Sequence, residues 1–159
     1  MNRYRNFDID LLDHHDGDDG ESLRARVVRS PVGEQRESDA PVIPFPVLLR
    51  GRLRKLDKRN FTFDELIVLG EEMASLLLQP AVREMYRRSR DRLKPDQGLR
   101  IRIRPHDPAL AVLPWEYVYV ERPDVPPGRK GPEGFLAVDR TISLVRYEIA
   151  GEPPAPIES

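Results

Sequence analysis

Apolar and polar residues alternate with period two at three places in the chain, and each place reads as a half-buried strand. In "FDIDLL" Phe7, Ile9 and Leu11 fall on one face, with Asp8 and Asp10 on the other. In "LRARVV" Leu23, Ala25 and Val27 share a face, with Arg24 and Arg26 opposite. Folding these two runs into a hairpin about Gly17 sets Asp10 across from Arg24 and Asp8 across from Arg26. Opposite charges in such positions stabilise an antiparallel pair by roughly a few tenths of a kcal/mol each. The third run, "LRIRIR" at 99–104, turns Leu99, Ile101 and Ile103 inward and Arg100, Arg102 and Arg104 outward. Near the C-terminal end, "FLAVD" and "TISLVRYEI" read as two further strands.

Between these runs the period lengthens to that of a helix. Thr62 and Glu65 form a capping box, and Phe61 and Leu66 hold the hydrophobic-staple positions. Phe63, Leu66, Ile67, Gly70, Met73, Ala74 and Leu77 then recur on one face. Pro80 fits the first turn of a second helix, which ends before Pro95. That helix turns Val82, Met85, Tyr86, Ser89 and Leu93 inward and its arginines outward. "SPVGE" at 30–34 is turn chemistry, and the proline-spaced "APVIPFPVLL" after it is an extended, edge-like stretch. Together these elements predict an α+β fold: a mixed β-sheet with an N-terminal hairpin, packed against two main helices. Residues 1–150 form the folded part, and the proline-rich 151–159 reads as a linker.

Composition narrows the class. A chain of 159 residues with 39% apolar and 33% charged residues is one rather polar domain, large enough for a core. No apolar run approaches the roughly 20 residues that cross a bilayer, so no membrane partner is expected. The N-terminus lacks an apolar signal core and reads as mature sequence. With no cysteine there is no disulfide, thiolate metal site or thiol nucleophile, and a cytoplasmic setting is expected. The formal charge of −1 hides an asymmetry: residues 1–40 carry ten acids and six bases, residues 50–59 six bases and one acid, and residues 83–104 nine bases and three acids. Clustered bases serve nucleic acid, anionic lipid or an acidic protein surface.

Each stretch with the residue types of a reactive site has a structural reading beside it. "DHHDGDDGE" at 13–21 offers metal-ligand types, but the acids miss the EF-hand spacing and strands flank the segment. We read it as the solvated tip of the hairpin; no metal and no cofactor are expected. His106 beside Asp107 has no serine or cysteine partner in any motif, and Asp107 fits the cap of a short helical turn. The row Arg100, Arg102, Arg104 could track phosphates as a basic surface, yet its face shows no interleaved aromatics, so nucleic acid is not expected as a partner. A charged face paired with Asp8 and Asp10 explains the row better. In "DPALAVLPWEYVYVE" at 107–121, Pro108 and Pro114 bracket a turn that buries Leu110, Leu113 and Trp115, the single tryptophan. Tyr117 and Tyr119 continue into a strand-like edge. Glu116 is read as a structural carboxylate bonded to backbone amides or to an arginine. Pro114, Trp115, Glu116 and Arg146 are therefore the structural or docking candidates, and no catalytic residue is assigned.

Taken in order, "YRNFDIDLL", "LRARVVRSPVGE", "FDELIVLGEEMASLLL", "LRIRIRPHDPALAVLPWEYVYVE" and "GFLAVDRTISLVRYE" resemble the N-terminal region of bacterial CHAT-domain proteins, a caspase-like family related to separases. The resemblance runs from about residue 4 to 150. Its specific part is Leu99 to Arg104, Pro108-Ala-Leu, Leu113 to Glu116, Phe135-Leu-Ala and Leu144 to Tyr147. It implies a cysteine peptidase core, with its His and Cys dyad, downstream of this region and beyond a proline-rich linker. No family catalytic residue has a counterpart here. What the resemblance implies is a non-catalytic scaffold or interaction portion, a caspase-like half that packs against an active one, with Arg146 on the closing strand near Glu116. Its expected partners are the CHAT peptidase core, in the same or a separate chain, and other proteins; the oligomeric state is left open. A stand-alone basic adaptor for nucleic acid or a partner protein, using residues 50–59 and 83–104, is the alternative.

Overall fold

A computed structural model describes residues 3–122 and 130–147. The expected linker at 151–159, the middle of the 122–134 loop and the end of "TISLVRYEI" lie outside the described residues. Five strands, β1 (Arg3–Gly17), β2 (Gly20–Arg29), β3 (Val42–Pro44), β4 (Gln97–Pro105) and β5 (Ile142–Arg146), form one mixed sheet in the order β3-β2-β1-β4-β5. The hairpin pair β1/β2 and the edge pair β2/β3 are antiparallel, while β1/β4 and β4/β5 are parallel. Helices α1 (Leu49–Asp57), α2 (Phe63–Leu77) and α3 (Pro80–Asp91) and the short α4 (Pro108–Ala111) complete the regular structure, with 3-10 turns between. The α+β class and the N-terminal hairpin are as the pattern predicts.

The sheet buries the side that the alternation assigns. Phe7, Ile9, Leu11, Leu23, Ala25, Val27, Leu99, Ile101 and Ile103 join Met73, Ala74, Leu76, Leu77, Val82 and Tyr86 of the helices in one core. Helix α2 starts where predicted: Glu65 N–H donates to the Thr62 hydroxyl and Thr62 N–H to the Glu65 carboxylate, closing the capping box. Pro80 occupies the first turn of α3, where a missing N–H costs nothing. The SPVGE turn closes as expected, with Gly33 at φ 108° and Ser30 gripping it through backbone and side chain.

Several expectations are corrected. The hairpin register differs by two at Asp10, which faces Arg26, and by three at Asp8, which faces Arg29, while Leu12 faces Arg24. The turn lies beyond Gly17, which shifts the register by three at the tip; an irregularity between Leu12 and His15, where Asp13 adopts φ 53°, brings it to two, and one between Asp8 and Ile9 returns it to three. Each bulge offsets the ladder without moving the apolar residues off their face, so periodicity alone does not see it. The chain also reverses past Gly17, which pairs with Gly20. Helix α1 lies inside the basic run that pattern reading left unassigned, and it buries Leu49 against the core. "FLAVD" is not a strand but a 3-10 turn, Leu136–Val138, preceded by a single bridge between Phe135 and Tyr119. Phe63, expected inward, is 48% exposed and stacks edge-on against Phe135.

Candidate functional site

The 107–121 stretch is built from its caps inward. Asp107 accepts a hydrogen bond from Ala109 N–H at 2.8 Å and caps α4, with Pro108 in the first turn. The chain then passes Pro114 into a 3-10 turn, Trp115–Tyr117. Trp115 is 1% exposed, and its indole N–H donates to the Leu110 carbonyl at 2.8 Å. The ring fills the core while its one polar atom is satisfied by the same turn that Pro108 and Pro114 bracket. Beyond it, Tyr119 N–H donates to the Gly70 carbonyl at 3.0 Å, so the segment is stitched directly to the backbone of α2. Tyr117 and Tyr119 make no continuous strand; the bridge to Phe135 is isolated.

Glu116 and Arg146 meet as expected. An Arg146 Nη atom donates to Glu116 at 2.7 Å, and the other donates to the Ala111 carbonyl at 2.8 Å. Both side chains are well exposed to solvent, so the pair clamps β5 to the LPWE turn from outside the core. A carboxylate so placed has none of the burial that would make it a general acid.

The arginine row lies on the sheet face opposite the core, with the acids of β1 beside it. Arg102 grips Asp8 with two hydrogen bonds of 2.6 Å, and Asp8 is only 2% exposed. This two-pronged bond to Asp8 holds the Arg102 guanidinium well above its ordinary pKa. Arg104 pairs with Asp10 at 3.2 Å, and Asp10 also holds the His106 ring at 3.0 Å. Arg26 donates to the Gln35 carbonyl, and Arg24 pairs with Asp13 and Glu37. Only the aromatic content of this face needs correcting. Tyr4 lies under Arg100, ring centre to guanidinium 5.1 Å, and Tyr147 under Arg102 at 5.2 Å. These rings stand one strand away from the arginines, on β1 and after β5, which is why the β4 sequence does not display them.

His106 belongs to this charged layer and Asp107 to the α4 cap, so the adjacent pair does not act on a common atom. At the hairpin tip, His14 lies 3.0 Å from Glu21, and Arg50 of α1 grips the same carboxylate with two 2.6 Å bonds. The Arg50 bonds hold the Glu21 carboxyl down at about 2, against the smaller opposing effect of burial. His14 and Glu21 therefore join the tip to the α1 side of the molecule, and His14 also packs on Phe45.

One cluster escaped the sequence reading. Arg90, expected outward with its neighbours, turns in from α3 and donates to Tyr86 at 3.0 Å, Asp139 at 3.0 Å and Thr141 at 3.3 Å. Burial pushes the Tyr86 hydroxyl up. Burial also opposes ionisation of Asp139, but the Thr141 hydroxyl and amide and then Arg90 outweigh it, and the carboxyl sits below its ordinary range. The signal available was Tyr86 and Arg90 at i and i+4, which share a helix face.

No protein-family model, no curated protein and no solved structure matches the chain. No helix among the described residues is long and apolar enough to cross a membrane.

Proposed function

We propose that this chain is a non-catalytic scaffold: the N-terminal portion of a CHAT-type, caspase-like cysteine peptidase, which packs against and supports a peptidase core encoded with it. The observation that carries this reading is the union of the LPWE turn with β4 and β5. Trp115 anchors the turn in the core, and Arg146 ties the closing strand to Glu116 and to the α4 carbonyl of Ala111. These are the segments on which the resemblance rests, and the Trp115, Glu116 and Arg146 side chains hold one segment to another. Three side chains of reactive type elsewhere are likewise engaged: His106 with Asp10, His14 with Glu21, and Asp107 with the Ala109 amide of α4.

The reading is tested by the coding frame past Ser159. A frame that continues into a His and a Cys, each at the end of an apolar strand pattern, is the expected result. A stop codon at that point overturns the reading and favours the stand-alone adaptor.

A further inference from the structure

The two edges of the sheet differ. The β3 edge is three residues long, and of its outward-facing positions 42, 44 and 46 two are prolines without a donor, which blunts it against further pairing. The β5 edge has no such protection. Leu99 N–H donates to the Thr141 carbonyl and Tyr147 N–H to the Ile103 carbonyl. In a parallel ladder alternate residues face the neighbour, so Thr141, Ser143, Val145 and Tyr147 are turned to β4. Ile142, Leu144 and Arg146 then present their backbone groups outward. Among the described residues, the only partner of these groups is the Asp139 carbonyl, which accepts from the Ile142 N–H at 3.0 Å.

This pattern is complementary to itself. We propose that β5 pairs antiparallel with β5 of a second copy about a two-fold axis at Leu144, which joins the two sheets edge to edge. Leu144 and its symmetry mate exchange two hydrogen bonds, and each Arg146 N–H reaches the partner's Ile142 carbonyl. None of these four bonds needs the Ile142 N–H that is already used. The register places the helices of both copies on one side of the joined sheet, because directly opposed residues share a face. Charge agrees with it. Arg146 is neutralised within its own chain by Glu116, so its charge does not oppose the pairing. Two of the more exposed apolar side chains, Val138 at 58% and Val112 at 75%, lie on segments that pack against β5 or bond to Arg146, and the second copy covers them.

The self-pairing goes beyond the scaffold reading and stands or falls separately from it. The test is sedimentation of the whole 159-residue chain across a concentration series. A small edge interface gives a weak dimer, visible at about 100 μM and dissociating on dilution. Leu144→Pro removes the N–H that bonds at the axis and that is turned away from β4, and is expected to raise the dissociation constant at least about tenfold. Because the chain has no cysteine, Leu144→Cys supplies a single thiol at the axis. A short thiol-to-thiol cross-linker should join two such chains, with folding of every variant checked by circular dichroism. A chain that stays monomeric throughout the series, or a dimer indifferent to Leu144→Pro in a folded chain, overturns the proposal.

Discussion

At the scale of single residues, Trp115 gives the sharpest energetic expectation. Its ring is fully buried and its N–H is bonded inside the same turn. Trp115→Ala removes that volume and should lower stability by about 3–5 kcal/mol in urea unfolding. A variant as stable as the parent would show that the ring contributes nothing to the core. Glu116 and Arg146 are a different case, because the pair is exposed and screened. A double-mutant cycle with Glu116→Gln and Arg146→Gln should give a coupling of only about 0.2–1 kcal/mol, shrinking with added salt. A coupling several times larger would mean that the clamp is shielded from water. Both residues were legible in the sequence: an apolar run between prolines marks a buried turn, and the family resemblance set Arg146 near Glu116. Arg90 was not legible. It sits among four arginines in six residues of an amphipathic helix, and nothing local distinguishes the one that meets Asp139, which lies 49 residues away.

At the scale of elements, the strand faces and the α2 cap were legible because each depends on nearest neighbours in sequence. The hairpin register was not, since the chain turns beyond Gly17 and two bulges then shift the ladder while leaving the alternation of faces intact. Helix α1 hid behind its charge, although Leu49, Leu53 and Leu56 hold helical spacing. Its contact with the hairpin tip makes a pH prediction. Arg50 and His14 hold the Glu21 carboxyl near 2, below the 4.5 it would have unpaired. A depressed folded pKa contributes stability that is fully present above about 4.5 and is lost as pH falls towards 2. The stability difference between the parent and Glu21→Gln should therefore be largest at neutral pH, on the order of 1–3 kcal/mol, and shrink steadily on acidification. A difference independent of pH would contradict the latch. The joint between α2 and the LPWE segment is equally specific. A Cβ on Gly70 would lie 2.3 Å from the Tyr117 carbonyl oxygen and 2.7 Å from Tyr119 Cβ. Alanine gains about 1 kcal/mol of helix propensity at such a site, but two backbones must separate to admit it. We expect Gly70→Ala to lose about 1–3 kcal/mol net in thermal or urea unfolding.

At the scale of the whole molecule, the sheet has one apolar face and one face of interlocked charges. The pairing of Arg102 and Arg104 with Asp8 and Asp10 leaves little of the row's charge for phosphates. Single-stranded nucleic acid should therefore bind weakly and lose affinity steeply with salt. Submicromolar binding at physiological salt, abolished by neutralising Arg100, Arg102 and Arg104 together, would instead favour the adaptor. Mixed α+β architecture was readable from the change of period along the chain. That β1 and β4 become neighbours was signalled by complementary charge, Asp8 and Asp10 against the arginine row, but that they run parallel was not, because they meet across more than eighty residues with no local signal. The scaffold reading is tested most directly by isothermal titration of the chain with the polypeptide encoded immediately after it. A saturable complex of one chain with one core, weakened by variants that loosen the LPWE turn, is the predicted result. A peptidase core that folds and cleaves its substrate alone, and gives no heat of binding with this chain, would contradict it.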